Sequence, residues 1–235
     1  MTWVKICGIT NPEDAKVAVD AGADALGFVF YDKSPRKVGV HVAREIVSDL
    51  PQEIEKAGVF VQGSGRAPGA IANEVGLTAL QTTLQLARAS ELRSALPSAA
   101  GFLHPPKCFL SFSASWFLGN RTELLRELVL LQNPGQVNPA GIAAVFLDSS
   151  TLQQPGGTGK TFDWERAVPV AEEIRQGGLK LVVAGGLTPD NVAEAMRILR
   201  PWGVDVSSGV EASPGTKDPE KVRAFISAVR NADRG

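Results

Sequence analysis

Cysteine, histidine and tyrosine are scarce in this chain: its 235 residues include two Cys, two His and one Tyr. Two cysteines cannot build the disulfide framework that staples small secreted domains. His41 and His104 show no metal-ligand spacing to any neighbour, and no Cys, His or carboxylate cluster appears, so no bound metal is expected. An excess of either charge is also missing. The 24 Lys and Arg against 25 Asp and Glu leave a formal net charge of -1, without the basic footprint of a nucleic-acid or membrane-surface binder. Long apolar runs are absent too. The longest uncharged stretch, Leu128 to Leu147, contains Asn133, Pro134, Gly135, Asn138 and Pro139 and is no membrane span. The N-terminus reads directly into a strand carrying Lys5, with no export signal. The expectation is a soluble protein of a reducing cytoplasm, with neither nucleic acid nor membrane as partner.

What is present is an alternation. Apolar residues make up 44% of the chain, enough for a sizeable core, and no low-complexity linker divides residues 1–235 into more than a single domain. Strands are expected at Val4–Cys7, Ala25–Phe30, Gly58–Val61, Ala79–Gln81, Cys108–Phe112, Val145–Leu147, Leu181–Ala184 and Val204–Val206. Helical patterns lie between most of them, at Asp14–Ala21, Val42–Leu50, Ala70–Val75, Glu165–Arg175 and Asn191–Leu199. Apolar runs without polar alternation suit parallel strands covered by helices on one side and a core on the other. Eight such units predict a (β/α)8 barrel; an open doubly wound sheet is the runner-up. A weak internal repeat fits a closed ring: Gly8-Ile9-Thr10-Asn11-Pro12 follows the first strand and Gly186-Leu187-Thr188-Pro189 the seventh. Each places a proline just inside a helix behind an expected N-cap, Asn11 or Thr188. Asp218-Pro219 repeats the cap for a last helix ending near Arg230.

In such a fold, chemistry sits at the carboxyl ends of the strands. Cys7 and Asp148 both end strands, and a thiol facing a carboxyl can serve as a proton-transfer pair if environment brings both pKa values toward neutrality. Two plainer readings stand beside this: Cys7 as a small buried hydrophobe, and Asp148 as the start of a turn through Ser149-Ser150-Thr151. Gly156-Gly157-Thr158-Gly159-Lys160-Thr161 invites a phosphate-loop reading. That motif needs a glycine where Gln154 stands, so the nucleotide signature fails. What remains is a glycine-rich loop able to close over a substrate, or simply a permissive surface loop. Gly185-Gly186 and Ser207-Ser208-Gly209 end the last two strands, where barrels bind phosphate through backbone N–H groups. A phosphorylated small molecule is the expected ligand. Arg36, in Ser34-Pro35-Arg36, is an arginine that could fork onto a carboxylate or simply sit in solvent.

Taken together, these residues resemble the phosphoribosylanthranilate isomerase family of tryptophan biosynthesis. The resemblance runs through Lys5-Ile6-Cys7-Gly8-Ile9-Thr10, Gly22 to Phe30, Lys33-Ser34-Pro35-Arg36, Gly58-Val59-Phe60-Val61, Leu147-Asp148, Gly156 to Trp164, Ala184-Gly185-Gly186-Leu187 and Val204 to Glu211. It implies a (β/α)8 barrel performing a cofactor-free Amadori rearrangement of an aminoaldose to an aminoketose, as a monomer or homodimer. Asp148 is implied as general acid and Cys7 as general base, the latter needing a thiol pKa below its free value of about 8.5. Arg36 would face the anthranilate carboxylate. Gly185, Gly186, Ser207, Ser208 and Gly209 would hold the phosphate, with Asp205 on the substrate-facing rim. The likeness thins between residues 82 and 140. The family usually has Gln-Leu-His-Gly after the fourth strand, where this chain has Gln81-Thr82-Thr83-Leu84, and its fifth strand lacks the usual lysine. A histidine-pathway isomerase on the same barrel would carry aspartate in place of Cys7. A degenerate, non-catalytic barrel that binds a phosphorylated ligand or a partner enzyme is the competing reading.

Overall fold

The computed structural model describes residues 1–61, 66–84, 91–92, 105–131, 142–149 and 161–235. Eight parallel strands close into a barrel in sequence order: β1 (Trp3–Cys7), β2 (Ala25–Val29), β3 (Glu55–Val61), β4 (Ala79–Thr83), β5 (Lys107–Ser113), β6 (Ile142–Asp148), β7 (Leu181–Ala184) and β8 (Gly203–Val206). Closure comes from β8 pairing with β1 in the register Val4↔Val204 and Lys5↔Asp205. The open-sheet alternative is thereby excluded. Helices Pro12–Asp20, Val40–Ser48, Pro68–Val75, Ala114–Leu131, Trp164–Gln176, Val192–Leu199 and Pro219–Ala232 are seen among the described residues. None is long and apolar enough to cross a membrane.

The strands are buried on both faces, and their period of two sorts side chains into two cores. Outward residues such as Val4, Ile6, Val145, Leu147, Val183, Val204 and Val206 join the large cluster under the helices. Inward residues Ala79, Phe109, Ala144, Phe146, Val182 and Ala184 form a second cluster with Trp3 packed against it. Its aromatics interlock edge-on or tilted, Trp3–Phe109 at 5.8 Å and Phe109–Phe146 at 5.5 Å between centroids. This plug fills the barrel below Lys5 and leaves polar inward positions above it. Burying each such ring stabilises the fold by about 1.5–3 kcal/mol.

Local signals account for most helix starts. The Asn11 side chain accepts from the Asp14 amide at 2.8 Å, and Asp218 accepts from the amides of Glu220 and Lys221. Thr188 does not cap. The N-cap is Asn191, whose Oδ1 accepts from the Thr188 amide while its Nδ2 donates to the Gly186 carbonyl. Asn191 thus ties the loop after β7 to itself, and Pro189 lies in the turn before the helix rather than in its first turn. Helix Ala114–Leu131 was not anticipated: its weakly amphipathic pattern is interrupted by non-helical backbone at Asn120.

The chain ends clasp each other. Arg230 donates to the carbonyls of Thr2 and Gly22 and to Asp24, whose carboxylate also accepts from the Val4 amide. Asp233 accepts from the amide and hydroxyl of Thr2. Asp24, just before β2, is therefore a latch. Arg230→Ala should lower the unfolding free energy by about 1–3 kcal/mol, read from urea denaturation; coincident curves would mean the clasp adds nothing. Burial works against the Asp233 carboxylate, but the Thr2 donors outweigh it and hold the pKa below the ordinary value. A depressed folded pKa stabilises at pH above the unfolded value and is lost as pH falls through the folded one, so the clasp should weaken on the acid side.

Candidate active site

Cys7 ends β1, Asp148 ends β6, and both line a cavity of about 350 Å³ at the carboxyl ends of the strands. Arg36, Gly185, Gly186, Asp205, Ser207 and Ser208 line it too. Gly209 is not among the lining residues. It lies in the short 3-10 turn Ser208–Val210, with its Cα facing the Leu187 carbonyl. Gln81 and Thr83 of β4 complete one wall. The Oε1 of Gln81 and the Oγ of Ser207 are buried without a hydrogen-bond partner, so the wall offers unsatisfied polar atoms to an occupant. Residues 156–160 of the glycine-rich loop lie outside the described residues, as do Ser150, Thr151 and His104. Among the described residues no group of His, Cys, Asp and Glu is arranged to hold a metal.

Gly185 shows why the seventh loop needs its glycines. Its φ is +81°, and a Cβ there would meet the Oγ and backbone nitrogen of Ser149 and sit 2.8 Å from Asp148 Oδ1. A side chain would combine left-handed strain with a collision against the segment that carries the acid.

Three charged residues shape the site that the sequence reading did not assign to it. Lys5, one inward position below Cys7, is fully buried and its Nζ donates to Asp205 Oδ1 at 2.9 Å. Glu211 accepts a fork from Arg36, Nε to Oε1 and Nη2 to Oε2, both at 2.8 Å. Lys217 reaches Glu211 Oε1 at 3.0 Å and the Ser207 carbonyl at 3.2 Å. Glu211 and Lys217 belong to a small hairpin, β9 (Glu211–Ser213) with β10 (Thr216–Lys217), anchored to the first loop by Thr10 Oγ1 on the Gly215 carbonyl at 2.6 Å. Arg36 therefore is not a solvated loop residue: its fork is closed onto an internal carboxylate. Lys5 shares a strand face with Cys7, which is the one signal that pointed to it. Glu211 closes one of the family-like blocks, while Lys217 carried no signal.

The electrostatics correct one expectation. Burial pushes the Cys7 thiol above its ordinary value; Lys5 pulls it down, Asp205 pushes it up and Lys217 pulls it down. The thiol is thus not drawn below its free value, because desolvation of the thiolate outweighs the nearby cations. Burial also opposes the Lys5 ammonium, yet Asp205 and Cys7 carry its pKa above the usual lysine value. Glu211 moves the other way: burial would raise it, but Arg36 and Lys217 hold it below the carboxylate range. Lys217 is lowered, burial outweighing the Glu211 attraction.

This cavity, on this barrel, has close relatives. A profile of the family described as N-(5'-phosphoribosyl)anthranilate (PRA) isomerase matches residues 4–108 and 131–228. The chain belongs to the phosphoribosylanthranilate isomerase family. It is an isomerase of tryptophan biosynthesis. The N-(5'-phosphoribosyl)anthranilate isomerase of Pseudomonas aeruginosa (strain UCBPP-PA14) is 42% identical over 98% of this chain and 96% of its own length. The crystal structure of the family member from Thermotoga maritima superposes with a TM-score of 0.75 at 36% identity, covering 98% of this chain and 100% of that one. A family structure solved in complex with reduced 1-(o-carboxyphenylamino)-1-deoxyribulose 5-phosphate gives a TM-score of 0.72 at 34% identity, with coverage of 98% and 100%. The family profile passes over residues 109–130, inside the stretch where the sequence likeness thins.

Proposed function

We propose that the chain rearranges N-(5-phosphoribosyl)anthranilate to 1-(2-carboxyphenylamino)-1-deoxyribulose 5-phosphate without a cofactor, Asp148 acting as general acid and Cys7 as general base. The observation that carries this reading is that Cys7 and Asp148, the strand-end thiol and carboxyl named for the two roles, line one cavity. The relative solved with the reduced product-like phosphate ester supports a phosphorylated sugar as the ligand class. Asp148 gives its proton to the ribose ring oxygen; the C1–O bond breaks and the nitrogen lone pair forms an iminium. The Cys7 thiolate takes the C2 proton, the C–H electrons form the C1=C2 bond, the C=N pair returns to nitrogen, and an enolamine results. Tautomerisation to the ketone puts a proton on C1 and releases one from the C2 hydroxyl. Between turnovers a proton passes from Cys7 back to Asp148 through solvent. The iminium is itself a cation beside the sulfur, so it favours the thiolate at the step that needs it.

Gly185, Gly186, Ser207 and Ser208 are assigned to the phosphate, with Gly209 bringing the two backbones together, and Arg36 to the anthranilate carboxylate. With Nε and Nη2 committed to Glu211, Arg36 has Nη1 left to offer. Glu211→Gln removes the charge that fixes this fork, so KM should rise about tenfold with a smaller change in kcat; an unchanged KM would detach Arg36 from substrate binding. The same bracing should fail in acid. Because the folded pKa of Glu211 is depressed, its hold on Arg36 is present above the ordinary carboxylate range and lost as pH falls through the folded value.

The deciding experiment generates phosphoribosylanthranilate in situ from anthranilate and phosphoribosyl pyrophosphate and follows its fluorescence decay. Protein-dependent decay with formation of the aminoketose is expected. Decay no faster than spontaneous breakdown, from a folded sample, would favour the non-catalytic barrel.

A further inference from the structure

We propose that Lys5 is a positioning residue for this reaction: its buried ammonium, pinned by Asp205, is the fixed cation that favours ionisation of the Cys7 thiol against the cost of its burial. The inference rests on the reading of Cys7 as the base. Lys5 and Cys7 are inward neighbours on β1, separated by the strand's two-residue period. Lys5 is among the largest fully buried side chains of the chain, and an ammonium in such a place has to be paired. Asp205 supplies one partner at 2.9 Å, from the position directly across the β1–β8 register. Cys7 is the neighbour of Lys5 on the same strand face, and the ammonium pulls the thiol pKa down while the sulfur pulls that of the lysine up.

The neighbouring strand makes room for the arrangement. A Cβ on Gly27 of β2 would lie 2.7 Å from Cys7 Sγ and 3.0 Å from Lys5 Cε. Any side chain there would push apart the two groups that need to touch. Below, the Phe146 ring lies 5.5 Å from Nζ, a face that tolerates a cation but accepts no strong hydrogen bond. The ammonium thus has Asp205 as its hydrogen-bonded partner, with Cys7 as the next side chain on its strand face. Among the described residues, the other charges around the sulfur are Lys217 from β10, which also lowers its pKa, and Arg36 and Asp148, which line the same cavity. Arg36 and Lys217 are both engaged by Glu211. Lys5 is the cation that shares a strand and a face with the sulfur.

The test measures ionisation of the Cys7 thiol directly, as the ultraviolet thiolate absorbance against pH, taken as the difference between each protein and the same protein carrying Cys7→Ala. That subtraction removes the contribution of Cys108, the other buried cysteine. In Lys5→Met the thiol titration should move upward by roughly 1 to 3 pH units. In Asp205→Asn it should move downward, since a repelling carboxylate is gone while the ammonium stays. A role confined to packing would not move the two in opposite directions. Should Lys5→Met alone fail to fold, Lys5→Met/Asp205→Asn leaves no unpaired buried charge, and its titration is compared with that of Asp205→Asn; the same upward displacement is expected. A thiol that titrates alike with and without Lys5 overturns the proposal.

The pH dependence of kcat/KM separates this inference from the one beneath it. If its acid limb follows the thiol and kcat/KM at neutral pH falls about tenfold per unit, both stand. If the thiol moves and the limb does not, the Lys5–Cys7 coupling holds and Cys7 is not the base of the rate-limiting step.

Discussion

Cys7→Ala and Asp148→Asn are each expected to lower kcat by roughly 10²–10⁴-fold while leaving the barrel folded. The small structural cost follows from position. Cys7 is nearly fully buried but ends its strand at the cavity, so truncating it removes one sulfur beside existing space. Asparagine keeps the shape of Asp148 and removes only the proton it would donate. The two losses should not multiply, because protonation of the ring oxygen and removal of the C2 proton serve one sequence. The double variant is therefore expected near the slower single. Far-ultraviolet circular dichroism and the fluorescence decay of the substrate check fold and rate together. Turnover unchanged in both single variants would remove the proposed mechanism outright.

Gly209→Ala should damage the phosphate end of the site more than any substitution of a lining side chain. The atom facing Gly209 Cα is the backbone carbonyl of Leu187, followed by the Leu187 carbonyl carbon at 2.9 Å and Thr188 Cα at 3.3 Å from an added Cβ. None of these is the free end of a side chain, so the methyl is accommodated only if one of the two loops moves. Overpacking of this kind costs about 1–3 kcal/mol, and here the displaced loops are those assigned to the phosphate. A rise in KM of tenfold or more with a lowered Tm is expected. Gly119→Ala is the matched control. It lies in helix Ala114–Leu131 with nothing within 4 Å of an added Cβ, so it should be neutral or stabilising by about 0.5–1 kcal/mol. Equal behaviour of the two variants would mean that the close approach at Gly209 does not matter.

The competing non-catalytic reading drew on the unusual fourth and fifth strands. Their layout is intact: β3, β4 and β5 pair in parallel register, and Gln81 and Thr83 line the cavity. Thr83, where the family usually has histidine, therefore faces the site. Catalytic assays of the unaltered chain measure what that exchange costs.

By itself, the sequence determined the parts that depend on neighbours in the chain. Unbroken apolar runs predicted all eight strands, because residues buried on both faces need no polar alternation. Asn11 and Asp218 marked helix starts because a cap bonds to an amide two or three residues on. The strand-end positions of Cys7 and Asp148 were legible because a strand's carboxyl end is recognisable from where its apolar run stops. Only the tertiary structure could decide the rest. Lys5 meets Asp205 across 200 residues and Arg36 meets Glu211 across 175, through the closure of β8 on β1 and a hairpin whose sequence carries no mark of its target. Thr188 yielded its cap to Asn191 because the loop after β7 folds back on Gly186. Burial raises the Cys7 thiol despite a lysine beside it, since desolvation depends on everything packed around the sulfur. Periodicity and capping are local and survive in a string of letters, whereas pairing and dielectric environment exist only once the barrel has closed.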